Sequence, residues 1–224
     1  MSTRALISYA HLLVVAILVA SPGHARERQH HGVAFEEWVR ETFFDGYNPE
    51  NYTQKWDIPA AANKRHGGIP VNPKATRYKS PVDLGDALRQ FDIKEPFWLV
   101  IGYWQDENNG RRMVNITAVS VTPQVWRKLW GPVTRGDLEK LDAVIKDRTL
   151  SPEEARFQAQ EIKTRPPFSE AAITLNPKID WKTQRRLQCS LSFSDVFRLL
   201  APGADDQPQQ APALWGVVFP GKVE

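Results

Sequence analysis

The period of the apolar positions changes several times along the chain, and each change marks an element. In "VAFEEWVRETFF" (Val33 to Phe44), Phe35, Trp38, Val39 and Phe43 recur at helical spacing. At about 100° per residue, Glu37 points away from that stripe and Glu36 sits on its flank beside Phe43. Gly46 lies just beyond and ends the helix. "NYTQKWDIPA" reads as a strand stopped by Pro59, "AANKRHGG" as a turn, and "IPVNPKA" (Ile69 to Ala75) as the next strand. Ser80 to Phe91 predicts a second helix. Ser80 is its N-cap, Pro81 takes the first helical position, Asp83 the capping-box position, and Leu84, Ala87, Leu88 and Phe91 form a buried stripe. "FWLVIGYW" (Phe97 to Trp104) is apolar almost throughout, as a strand covered on both faces requires. "QDENNGRR" turns the chain, and "MVNITAVSV" returns as a strand.

Three short helices follow, each with a start signal: Thr122-Pro123, Thr134 with Asp137, and Ser151-Pro152 with Glu154. "AAITL" and "RRLQCSLSF" read as late strands. In the second, Leu187, Cys189, Leu191 and Phe193 alternate with Arg186, Gln188, Ser190 and Ser192. "APGADDQPQQAPA" reads as a flexible linker and "LWGVVFPGKVE" as a short apolar tail. The order of elements predicts an α/β domain over residues 29–200, built on a mixed central β-sheet flanked by helices, with a linker at 201–213 and a tail at 214–224.

Composition narrows the chemistry only in places. A chain of 224 residues with 42% hydrophobic residues is long enough for a real core. A net charge of +3 selects no class of partner. The single cysteine, Cys189, excludes an intramolecular disulfide, and His11, His24, His30, His31 and His66 lack the spacing of a Cys/His zinc site. At the N-terminus, Arg4 precedes an apolar run from Ala5 to Ala20, and Gly23 and Ala25 are small residues where a signal peptidase reads. Residues 1–25 are therefore expected to be a secretory signal cleaved after Ala25, which makes the protein secreted or periplasmic with no stable membrane association. The alternatives are an uncleaved anchor, or a start codon placed upstream of a cytoplasmic protein.

The candidate chemistry lies on the strand Ile69 to Ala75. Residues two apart on a strand share a face, so Asn72 and Lys74 point the same way. Lysine is almost never fully buried without a partner, so this strand either has a wet edge or meets an anion at that face. Asp57, in "KWDIP", lies on the preceding strand, and Glu36 on the flank of the first helix. A helix with an acid, a strand aspartate, then a strand with a polar residue two before a lysine resembles the PD-(D/E)xK nuclease superfamily. Phe35-Glu36 matches its opening "FE", Asp57 its aspartate, and Asn72-Pro73-Lys74 its "(D/E)xK".

The resemblance implies a restriction endonuclease-like fold and a metal-dependent deoxyribonuclease using Mg²⁺ or Mn²⁺. It implies Glu36, Asp57, Asn72 and Lys74 as the catalytic set. Asp57 would be the central metal ligand and the Pro73 carbonyl another. Glu36 would act through water or hold a second ion, and Lys74 would orient the attacking water or stabilise the phosphate. Asn72 departs from the pattern by removing a carboxylate; Asp83 or Asp86 is the candidate replacement. Pro73 cannot donate to a ladder and so implies an edge or a bulge. For DNA contact the sequence offers Arg77 and Lys79 just after the lysine strand. Around Trp181 it offers Lys178, Lys182, Arg185, Arg186 and Gln188. Sequence-specific members of the superfamily are often dimers, so a homodimer is one implied form. Two other classes remain open: a catalytically inactive nucleic-acid-binding module on the same fold, and an exported protein that binds another ligand.

Overall fold

Phe97–Glu107 (β3) is buried on both faces, and the other elements are arranged around it. The computed structural model describes residues 34–49, 55–108 and 110–223. The expected leader and residues 51–54 of the strand expected in "NYTQKWDIPA" lie outside them. On one face of β3, Leu99, Ile101 and Tyr103 join the larger core with Val82, Leu84, Trp126, Leu138 and Leu141. On the other, Val100 packs with Phe35, Val39 and Val71. Phe35 and Val39 come from the first helix (α1, residues 34–43), which matches the apolar stripe of the sequence. Gly102 lets α1 approach: a Cβ there would lie 2.8 Å from the Phe35 ring.

Val71–Arg77 (β1) runs parallel to β3 at the edge of the sheet, and Gly110–Val121 (β4) runs antiparallel on the other side. Pro73 is tolerated because β1 is an edge strand. A parallel pair needs a crossover, and here the crossover differs from the sequence expectation. The stretch expected as one helix from Ser80 to Phe91 is a strand, Val82–Asp86 (β2), followed by a short helix, Ala87–Phe91 (α2). Val82 and Leu84 are both buried with exposed Asp83 between them, which is a period of two. The cap is Asp86, accepting from the Arg89 N–H at 2.8 Å, while Asp83 accepts from the Gly85 N–H at 2.9 Å. Within the described part of "NYTQKWDIPA", pairing is reduced to an isolated antiparallel bridge between Ile58 and Val71.

The three helices start where their caps predict: Pro123–Leu129 (α3), Arg135–Lys146 (α4) and Pro152–Lys163 (α5), with capping boxes at Thr134/Asp137 and Ser151/Glu154. Ile173–Ile179 (β5) and Arg185–Leu191 (β6) form a second sheet with β2, in the order β2-β6-β5. Leu187, Cys189 and Leu191 face the core, as their alternation predicts. The architecture is thus mixed α/β, with a central mixed sheet flanked by helices. Among the described residues no helix is long and apolar enough to cross a membrane.

The segment expected as a flexible linker is laid along β4. Val114 O accepts from the Gln209 N–H at 2.6 Å, Asn115 Nδ2 donates to Asp205 O at 2.8 Å, and Arg112 donates to Gln209 O at 2.9 Å. Beyond it, Ala213–Leu214 (β7) and Val217–Val218 (β8) form a hairpin whose two turn residues, Trp215 and Gly216, have φ of 46° and 85°. Both being positive marks the hairpin turn that matches strand twist. Trp215 holds this unfavourable backbone because its ring stacks on His66 at 3.8 Å and meets the edges of Phe43, Phe44 and Trp98. Leu214 and Phe219 complete the core under α1.

The close approach of α1 yields a prediction. Gly102→Ala should destabilise the protein by about 1–3 kcal/mol through overpacking against Phe35. In denaturant titrations, Phe35→Leu in the Gly102→Ala background should recover part of that loss, giving a non-additive double-mutant cycle. Additive losses would mean that the two positions are not in contact.

Candidate active site

Asp57 is delivered by backbone pairing. Ile58 and Val71 exchange both hydrogen bonds, with Val71 N–H to Ile58 O at 2.8 Å and Ile58 N–H to Val71 O at 3.1 Å. Extending that register by one residue sets Asp57 opposite Asn72, and opposed residues share a face. The segment before it is tied down by Glu95, which accepts from Lys55 Nζ at 2.5 Å and from the Trp56 indole N–H at 2.9 Å. Glu95 is a positioning residue that the sequence does not reveal.

Lys74 follows Asn72 by two residues on β1, and its Nζ donates to Asp57 Oδ2 at 2.9 Å. Lys74 therefore has the anionic partner that its strand position demands. The two side chains are 20% and 37% exposed, so the pair is partly screened from water. Burial pushes the Lys74 ammonium down, but the combined fields of Asp57 and Glu36, the Asp57 hydrogen bond and the field of Asp83 outweigh it and raise the value above normal. Lys74 stays charged.

Glu36 reaches the same place from α1. Phe35 fixes the helix against Gly102, and Glu36 is half-buried beside it. Burial is the main cause that pushes its carboxyl up, with Asp57 adding to the rise while Lys74 and Arg40 oppose it. Three charged groups from three separate segments thus share one electrostatic site. Asn72 is 3% exposed and sits within it as a neutral amide. Because Val71 directs its N–H and C=O toward Ile58, strand alternation turns the Pro73 carbonyl to that same open edge. Asp86 is used as a helix cap and Asp83 holds a turn, although Asp83 is near enough to act on Lys74. Among the described residues no group of three or more His, Cys, Asp or Glu side chains is placed to hold a metal ion.

The remaining sequence-predicted residues lie elsewhere. Arg77 pairs with Asp106 at 3.1 Å, and Lys79 stands in a turn with its Nζ 5.6 Å from the Tyr78 ring centre. Both line an open cavity of about 530 Å³ with Tyr78, Ser80, Gln105 and Asp106. Lys178, Arg186 and Gln188 are on the second sheet, and Lys182 is in its hairpin turn. Arg185 differs from expectation. Its guanidinium donates to the carbonyls of Ile145 and Asp147 at 3.1 Å and of Leu150 at 3.0 Å, which fixes the α4–α5 connection and leaves it a structural role.

No known protein family matches the chain, and neither a curated protein nor a solved structure is significantly similar to it.

The raised Glu36 carboxyl has a consequence for stability. A native value above the unfolded 4.5 means that stability is lost as pH rises through the interval between them. Glu36→Gln should therefore raise the melting temperature by a few degrees at pH 8, and the gain should vanish as pH falls to 4.5 and below. Thermal unfolding of both proteins across pH 4 to pH 8 measures it; a variant less stable than wild type at pH 8 contradicts the assignment.

Proposed function

We propose that the protein is a metal-dependent deoxyribonuclease of restriction endonuclease-like fold, acting on DNA phosphodiesters. The observation that carries this is the convergence of Glu36, Asp57 and Lys74, anchored by the 2.9 Å Lys74–Asp57 contact, in the chain order of the PD-(D/E)xK pattern, with Glu36 on a helix, Asp57 beside the Ile58–Val71 bridge and Lys74 on a strand. The crossover from β1 through α2 to parallel β3, with α1 on the opposite face, supports the fold.

The donor set fits a hard divalent cation. Mg²⁺ keeps several waters and is bound through one or two carboxylates, and the site offers Asp57, Glu36 and the Pro73 carbonyl. A divalent ion held there supplies charge neutralisation and Lewis-acid assistance to phosphodiester hydrolysis. The chain's own groups do the rest. Lys74, kept cationic by its neighbours, stabilises the negative charge that builds on the phosphate. Glu36, with its raised carboxyl, accepts the proton of the attacking water. Asp57 fixes Lys74 in position. Asn72 favours a second reading, an inactive DNA-binding module, because it removes one negative charge from the cation site. Plasmid cleavage distinguishes the two readings, since DNA retention without cleavage is what the second requires.

Asp57→Asn and Lys74→Ala should each reduce Mg²⁺-dependent plasmid cleavage by roughly 10²–10³-fold, the scale of losing one electrostatic stabiliser. Undiminished cleavage by either variant places the chemistry elsewhere.

Asn72→Asp puts a new carboxylate at a buried position. It should lower the melting temperature in EDTA and regain it on adding Mg²⁺, with cleavage equal to or above wild type. A loss in EDTA that Mg²⁺ does not reverse would separate Asn72 from the metal site.

A further inference from the structure

We propose that the β5–β6 hairpin is a docking ridge for single-stranded DNA, with Trp181 stacking on an unpaired base. The choice of DNA as partner rests on the nuclease reading. Trp181 is 71% exposed and makes no ring contact with any described residue. The turn that carries it is nevertheless tied by hydrogen bonds. Asp180 Oδ1 accepts the backbone N–H groups of Lys182, Thr183 and Gln184 at 2.9, 2.8 and 2.8 Å. Arg156 donates to Ile179 O at 2.9 Å and Arg148 to Thr183 O at 3.2 Å, so arginines from the layer beneath brace both sides of the turn. A large apolar ring held out on a braced turn is preorganised to meet a partner.

The charge of the ridge is complementary to nucleic acid. Residues 178–186 carry Lys178, Lys182 and Arg186 against one acid, Asp180, so three cations less one acid give +2, while Arg185 is turned inward to the carbonyls of the α4–α5 connection. Lys178 and Arg186 are register partners across the ladder. Like charges directly opposite one another are unfavourable, and neither makes an ion pair with a described residue. A phosphate lying between them relieves that repulsion. Along the same outward face come the pairs Asn176/Gln188 and Thr174/Ser190. Ser190 also pairs with Asp83 of β2, whose field acts on Lys74. Polar register pairs therefore run for roughly 14 Å, four residues of strand, from the cationic pair at the hairpin to Ser190, which is buried beside Asp83. Cations with a projecting aromatic ring are the composition of a single-strand binding surface. In a duplex the base faces are covered by their neighbours, so a ring at a ridge tip gains a stacking partner only where a base is unpaired.

The test is binding without metal. Fluorescence anisotropy in EDTA would follow a labelled oligothymidylate of about 20 nucleotides and a duplex of equal length, using the full chain. Trp181→Ala should weaken single-strand binding roughly 5- to 100-fold and leave duplex affinity nearly unchanged, while Trp181→Phe should retain most of it. The double change Lys178→Ala with Arg186→Ala should lower the slope of log affinity against log salt by about 1.4. Equal single-strand affinity for wild type and Trp181→Ala overturns the proposal, as does equal loss on the duplex or failure to bind either DNA. Plasmid cleavage is scored separately. Cleavage with Trp181-independent binding sinks the ridge alone, and Trp181-dependent binding without cleavage sinks the nuclease reading alone.

Discussion

A strand buried on both faces sets the plan of this molecule. β3 needs an apolar layer above and below it, and each fully buried side chain on it contributes roughly 1.5–3 kcal/mol. α1 closes one side through Phe35 and Val39, and the second sheet with the helical layer closes the other. β1 inherits its place from this arrangement. Paired to β3 along one edge, it meets among the described residues only the isolated Ile58 bridge on the other, and charged groups from both layers reach it there. The acid of α1, the aspartate before Ile58 and the lysine of β1 meet because the strand between the layers leaves them this edge.

The three charges hold one another in a balance that is poor for stability. Lys74 is compensated by Asp57, whereas Glu36 is partly desolvated, and the fields of Lys74 and Arg40 offset that incompletely. Breaking a partly buried pair leaves its survivor uncompensated, so the site is also coupled to the fold. Anchorage of the Asp57 segment by Glu95, through Lys55 and Trp56, limits the freedom of the carboxylate without touching it.

What the sequence revealed depended on whether the deciding forces are local. α3, α4 and α5 were legible because Thr122, Thr134 and Ser151 cap the helices that follow them. β3 was legible because burial on both faces leaves a continuous apolar run. Glu36, Asp57 and Lys74 were legible through their order on successive elements. Ser80 to Phe91 was misread because Leu84, Ala87, Leu88 and Phe91 fit a helical stripe, while the pairing of Val82 with Leu191 that makes β2 a strand is more than a hundred residues distant. Arg185 shows the same limit: its charge is visible in the sequence, but the carbonyls it grips are not. The stretch from Ala201 to Ala213 has linker composition, yet its backbone groups find partners on β4 that no composition records.

The C-terminal hairpin has a consequence for the order of assembly. Leu214 and Phe219 close the apolar pocket beneath α1, and Trp215 is held in its unfavourable turn by rings from α1 and by His66 and Trp98. During synthesis Glu36 leaves the ribosome early and these residues among the last of those described. Until they arrive, α1 lacks part of its seat and the acid it carries is not fixed against Asp57 and Lys74. A ribosome-bound nascent chain with all three charged residues already made would thus still hold an incomplete site until translation has passed Phe219.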